Sequence, residues 1–207
     1  MARPKTARLS RDSVTTAALD LIGRTGLESF SMPKLAAELR VSSPSLYHYF
    51  ADRDALLAAV ARVVATPEPP DALPPGADWT DYLVANAIAL RRTILAHPHC
   101  APLLVRFMPR ANMFDEYEQQ CLFLAHCGVP AHLHVKIVDG LTALTIGAAI
   151  LHENAADYAD SGRGPHPGDD FPALRAALDV VDGHSGEEMF ETYVRTYLAG
   201  VVQAIAS

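Results

Sequence analysis

Between Ser42 and Arg53 the chain reads SSPSLYHYFADR, which places three serine hydroxyls, two phenols and an imidazole within eight residues and no acid before Asp52. Groups of this kind donate and accept hydrogen bonds without carrying net charge, the chemistry that suits base edges and phosphates in a DNA groove. Leu46 and Phe50, four apart, fall on one helical face. Ser43, Ser45, Tyr47, His48 and Tyr49 are therefore left largely outside, with Ser42 and Pro44 at the helix entry. These seven residues are the candidate DNA contacts.

The elements needed to present them are legible on either side. Ser31 is a plausible cap for a preceding helix, with Pro33 in its first turn and Leu35, Ala36 and Leu39 on its apolar face. Arg40-Val41-Ser42 breaks the period, and Ser42 or Ser43 caps the next helix with Pro44 in its first turn, where a missing N–H costs nothing. Upstream, Leu9-Ser10 starts a supporting helix with Val14, Ala17, Ala18, Leu21 and Ile22 as its stripe before Gly26. Downstream, Asp52 caps a helix with Leu56, Ala59, Val60 and Val63 at helical spacing. Four helices within about 65 residues form a helix-turn-helix unit with little room for a catalytic cleft.

Charge agrees with that reading. Residues 1–65 hold nine Lys and Arg against six Asp and Glu, whereas the remainder holds eight against eighteen. The whole chain is acidic, at net −7, but phosphates respond to local charge, and Arg3, Lys5, Arg8 and Arg11 are uninterrupted by any acid. Residues 1–8 read as a solvated leader in the free protein, compatible with ordering on DNA.

The segment 66–77, TPEPPDALPPGA, holds five prolines and excludes a regular helix, so the domain boundary is placed there. Residues 78–207 read as six helices: 78–96, a short one to Met108, 110–127, a long one from Pro130 to about Asp157, 171–181 and 187–206. No strand alternation occurs, and the fold class is all-α. The long helix and the last one are apolar nearly all round. Gly140, Ala143, Gly147, Ala148 and Ala149 line the former and Tyr193, Tyr197, Leu198, Val201, Val202 and Ile205 the latter, the pattern of helices buried on more than one side. The longest apolar stretch, 140–151, is shorter than the ~20 residues of a membrane helix, so the expectation is a cytoplasmic protein without a membrane partner.

Other chemistry is poorly supported. His97 and His99, and His132 and His134, are two apart, and on a helix such pairs point to different sides instead of converging on a metal. Cys100, Cys121 and Cys127 lack zinc spacing and read as reduced packing residues. There is no G-x-S-x-G, P-loop or dinucleotide fingerprint. No enzyme, cofactor or metal is expected.

Residues 26–57 resemble the TetR family of bacterial transcriptional regulators, on Gly26, Lys34-Leu35-Ala36, Val41-Ser42-x-x-Ser45-Leu46-Tyr47-x-Tyr49-Phe50 and Asp52-Arg53-x-Ala55-Leu56-Leu57 in the family's order and spacing. The resemblance implies that the helix carrying Ser43, Pro44, Ser45, Tyr47 and Tyr49 enters the major groove and that Arg53 meets a phosphate. It adds Lys34, in the preceding helix, as a further contact. Pro33 stands where the family's tetracycline-responsive members carry a base-reading arginine, so a different operator follows. The resemblance also implies a homodimer paired through the long and last helices, as two-fold half-sites require.

The likeness continues beyond the linker in Trp79-x-Asp81-x-Leu83, Asn86-Ala87, Arg91-Arg92, His97, Pro109, Gln120, Phe123-Leu124, Gly128 and Gly147, which are similar to the tetracycline-responsive members. By that resemblance Asn86 and Gln120 hold the polar edge of a small molecule, with Leu90, Leu104, Met108, Met113 and Tyr117 as walls. Leu144, Gly147 and Leu151 complete the candidate lining from the long helix. The alternative places Asn86 and Gln120 on helix surfaces. Leu104 and Leu151 occupy the positions of the imidazole and carboxylate that engage a drug-bound magnesium, and the N-terminal drug-contacting histidine falls in the proline-rich segment. The expected effector is thus an apolar, metal-independent compound. The function implied is a DNA-binding regulator, a repressor released by that effector. The alternatives are an activator or constitutive binder whose second domain only dimerises, and, more remotely, an enzyme using the C-terminal cavity.

Overall fold

The computed structural model describes residues 9–67, 77–107, 113–160, 170–181 and 185–206, with the side chains of 152–160, 177–181 and 206 left aside. Among the described residues the chain is helical throughout: α1 (Arg11–Thr25), α2 (Met32–Leu39), α3 (Ser43–Leu46), α4 (Arg53–Ala65), α5 (Trp79–Ala96), α6 (Ala101–Phe107), α7 (Phe114–His126), α8 (Ala131–Asp160), α9 (Pro172–Val181) and α10 (Gly186–Ala206). Two compact units result, one of Met1–Pro67 with Ala96–Met113 and one of Glu68–Leu95 with Phe114–Ser207.

In the first unit the helix starts are fixed by side chains. The Ser13 amide donates to Ser10 Oγ at 3.1 Å and the Ser10 amide to Ser13 Oγ at 2.9 Å, a reciprocal cap that satisfies donors the first turn leaves unpaired. The Lys34 amide donates to Ser31 Oγ at 3.4 Å and the Ala55 amide to Asp52 Oδ1 at 2.7 Å. Arg40 adopts φ 57°, the left-handed turn that ends α2. Ser42 takes the N-cap position of α3 without a side-chain cap bond, its hydroxyl pairing with Ser45 Oγ at 2.8 Å.

The buried face of α4 differs from the expected stripe. Leu56, Leu57, Val60, Ala61 and Val64 are buried, whereas Val63 is 48% exposed. Both sets fit a 3.6-residue period from Leu56, and packing on α1 and α6 selects the one that places Leu57, Ala61 and Val64 inside. A 3-10 turn, Pro98–Cys100, and α6 complete this unit against α1 and α4, and Arg106 bridges to Asp54 at 2.7 Å. Burial among apolar neighbours raises the Cys100 thiol to about 11, so it stays protonated.

The second unit closes on a core from α5, α7, α8 and α10 that includes Leu83, Val84, Leu124, Leu133, Ile137, Val138, Leu141, Phe190, Val194 and Leu198. Asp78 caps α5, accepting from Thr80 Oγ1 at 2.6 Å and the Thr80 amide at 2.7 Å. Gly140 lets α8 and α10 approach, since a Cβ there would collide with the Tyr197 hydroxyl, which donates to the Lys136 carbonyl at 2.8 Å. The buried Arg91 guanidinium lies 5.4 Å from the Phe190 ring, while Arg92 makes a bidentate pair with Glu187 at 2.6 and 2.7 Å. Over Ala131–Leu151, α8 is long and apolar enough to cross a membrane, a longer run than the 140–151 stretch picked out from sequence. Leu133, Ile137, Val138, Leu141 and Ala149 of that helix are buried within the protein.

Candidate functional site

The turn from α2 to α3 presents the residues singled out for DNA. Leu46 and Phe50 are buried, which fixes the roll of α3 and the turn after it. Ser42, Pro44, Tyr47 and His48 are exposed, Tyr47 at 49%, and Ser43 and Ser45 are half-buried. Lys34 is exposed on α2, its ammonium donating to the Ser29 carbonyl at 2.7 Å. Arg53 opens α4 with its guanidinium 5.7 Å from the Phe30 ring. The exposed face is thus neutral and aromatic at its centre with a cation on each flank, the distribution expected where a middle reads bases and edges meet phosphates.

Tyr49 departs from the expected outward set. It is half-buried, and its hydroxyl donates to the Leu9 carbonyl at 3.0 Å. In return the Arg11 guanidinium donates to the Tyr49 carbonyl and lies 4.3 Å from the Phe50 ring. The sequence alone places Arg11 with the other basic residues of the N-terminal run. It gives no sign of this closure, because the partners are about 40 positions apart and no local spacing signals it.

The ligand candidates separate. Leu104 and Met113 are buried in the first unit. Asn86, Leu90, Tyr117, Gln120, Leu144, Gly147 and Leu151 belong to the second, and Met108 lies outside the described residues. Asn86 is half-buried and its amide donates to the Tyr82 carbonyl at 2.8 Å, a bond on its own helix. Gln120 is exposed, as is Leu151 at 70%. Tyr117 and Leu144 pack partly buried against the core, with the Tyr117 hydroxyl donating to Asp139 Oδ1 at 2.6 Å. Asp139 has no sequence signature, since a lone carboxylate on an apolar helix gives no pattern. A cavity of about 400 Å³ in the second unit is lined by Thr80, Val84, Arg195, Leu198, Ala199, Val202 and Gln203, none of them a ligand candidate. Of the paired histidines, His134 is buried with Nε2 2.7 Å from the Val129 carbonyl oxygen, whereas His132 is exposed.

A helix-turn-helix with a neutral aromatic reading face, followed by a second helical unit, defines a DNA-binding regulator of transcription. Comparison with known proteins gives the family. Residues 14–60 match the model of bacterial regulatory proteins of the tetR family, and 70–205 match the tetracyclin repressor-like C-terminal domain. The class D tetracycline repressor of Escherichia coli is 31% identical over 89% of this chain and 85% of its own. The class A repressor from transposon 1721, from the same organism, is 30% identical over 95% and 92%. Among solved structures, the Streptomyces coelicolor TetR family protein ActR in complex with actinorhodin superposes with a TM-score of 0.75 at 25% identity, covering 97% of this chain and all of that one. The TetR of Acinetobacter baumannii AYE gives 0.73 at 25% identity, over 96% and 99%. The chain belongs to the TetR family and is a helix-turn-helix DNA-binding transcriptional regulator.

Proposed function

We propose that the chain is a homodimeric repressor whose recognition face on α3 holds an operator until a small molecule occupies the second unit. The observation that carries the first half is the exposed set of Tyr47, His48 and Pro44 above a fully buried Leu46, with Lys34 and Arg53 beside it. Two such faces, one per protomer, would fall on half-sites a helical turn apart. Apolar surface on α8 and α10 supports the dimer, since Val135, Leu151, Tyr193, Val202 and Ile205 are all exposed in the single chain. Large exposed side chains on two neighbouring helices suit coverage by a second copy.

For the effector, Asn86, Leu90, Tyr117, Gln120, Leu144 and Gly147 remain the proposed contacts in the second unit. The solved complexes of ActR with actinorhodin and with (S)-DNPA support a small-molecule ligand for this fold. The apolar packing around Leu144 argues against a charged metal complex, because burying an ion without replacing its hydration costs several kcal/mol. The proposed effector is therefore mostly apolar, carries a few neutral hydrogen-bonding groups, and acts without divalent metal. It releases DNA only to the extent that it binds the releasing state more tightly.

The test is a titration of protein–operator complex with a panel of apolar natural products in the presence of a chelator, beside tetracycline plus magnesium. Release by a panel member with chelator present is the expected result. Release only by tetracycline with magnesium would overturn the metal-independent reading, and a complex that no compound releases, with raised transcription of the adjoining gene, would favour an activator.

A further inference from the structure

Between α2 and α3 the backbone passes through a left-handed residue, and that residue is Arg40, at φ 57° and ψ 41°. Its amide donates to the Ala37 carbonyl at 3.1 Å and the Val41 amide to the Ala36 carbonyl at 3.0 Å, bonds that close the end of α2 and turn the chain toward α3. Glycine suits such a place, because any Cβ is crowded against the neighbouring carbonyl. The other two described residues with positive φ, Gly26 at 78° and Gly128 at 77°, are indeed glycines just past helix ends. Arg40 is the exception, and it is exposed. Among the described residues no ion pair or side-chain hydrogen bond engages its guanidinium. The acids flanking it in sequence are occupied elsewhere, Glu38 with Arg24 at 2.8 Å and Asp52 as the cap of α4.

We infer that Arg40 is a phosphate contact: its guanidinium meets the DNA backbone beside the N-terminal end of the reading face, opposite the end where Arg53 stands. This rests on the reading of α3 as the DNA face. Ser43 to His48, which form α3 and the start of the turn after it, rise about 9 Å at a helical 1.5 Å per residue, less than the ~12 Å width of the major groove. Residues just outside so short an element stand against the phosphate walls of the groove. Arg53 lies five residues past its end and Arg40 three residues before its start. A guanidinium is suited to that place, being permanently charged and able to bond a phosphate through two parallel N–H groups. An L-residue kept in a conformation that favours glycine, with its charge turned to solvent and uncommitted within the chain, is accounted for by a contact outside the chain.

Two substitutions separate the contact from the turn. Arg40→Gly relieves the backbone and removes the cation together, whereas Arg40→Lys keeps both the conformation and the charge. Affinity and its salt dependence are measured for wild type, both variants and Tyr47→Ala, on a duplex carrying the sequence that the wild-type protein protects and on an unrelated duplex of equal length. A melting curve accompanies each protein. Arg40→Gly should melt at or above the wild-type temperature, because glycine adopts positive φ freely. It should nevertheless bind both duplexes about fivefold more weakly, as for one lost charged contact, and flatten the slope of log affinity on log salt by about 0.9 for each phosphate left unneutralised. Arg40→Lys should keep the wild-type slope. Wild-type affinity and slope in Arg40→Gly would overturn the contact. So would a loss confined to the protected sequence, which would place Arg40 on a base, or a weaker binding with unchanged slope and a lower melting temperature, which would make Arg40 a purely structural turn residue. Failure of the α3 reading shows separately, as unchanged binding of the protected sequence by Tyr47→Ala.

Discussion

Arg53 and Tyr49 stand close in sequence and make different contacts within the chain. Arg53 sits at the first position of α4, near the Phe30 ring and partly exposed, with its cation at the edge of the reading face. Arg53→Ala should weaken binding to all DNA sequences alike and lower the salt slope by about one, as expected when one phosphate is left unneutralised. Titration at several salt concentrations on specific and unrelated duplexes checks this, and a loss confined to the specific duplex would assign Arg53 to a base instead. Sequence pattern locates this residue and the outward set around Tyr47, because Leu46 and Phe50 leave only one way to roll the turn. It does not reveal that Tyr49 is tied to Leu9, since that bond depends on tertiary closure between α1 and α3.

At the scale of elements, caps carry most of the legible signal. Ser10, Ser31 and Asp52 all occupy the cap positions that their types and neighbours predict, each accepting from an amide three residues on. Side-chain phase is less legible, as with Val63 and Val64, because only the packing partner decides between two faces of equal period. Asp78 offers an element-level test. Its carboxyl is held below the usual range, chiefly by the Thr80 hydroxyl, so its folded form binds a proton less readily than the unfolded chain. The cap is therefore fully effective above the ordinary carboxylate pKa and is lost as pH falls through the lowered one. Asp78→Ala should cost about 1 kcal/mol near neutrality by chemical denaturation, and the difference from wild type should fade in acid. Gly140→Ala should also destabilise, by about 1–3 kcal/mol as an overpacked site, because the added methyl meets the Tyr197 ring. Replacing Tyr197 by Leu in that background should recover part of the loss in the same melts.

For the whole molecule, one division between the two units falls between Pro67 and Glu68, inside the proline-rich segment 66–77, but the chain crosses between units again beyond it. Ala96–Met113 clusters with the helix-turn-helix residues. No local pattern in 96–113 could show this, since α6 is an ordinary apolar helix whose partner, α4, lies about 40 residues upstream. The proposed dimer belongs to this scale too. Gly147 has open space around its Cβ position within one chain, so a side chain there should be tolerated by the fold of the monomer and felt by a second copy. Gly147→Glu should leave a folded monomer by sedimentation that binds DNA poorly, because one half-site forfeits the joint affinity of two. A stable dimer of that variant would move the interface elsewhere.

That the exposed face formed by α3 and the turn after it reads DNA is tested most directly at Tyr47, 49% exposed above the buried Leu46. The measurement is a mobility-shift titration of wild type and Tyr47→Ala on the DNA adjoining the chain's own coding region, with melting curves for both proteins. The two proteins should melt at an equal temperature, wild type should bind tightly at a footprinted site, and the variant should lose that binding. Unchanged affinity of Tyr47→Ala for the footprinted site would contradict DNA reading by this face.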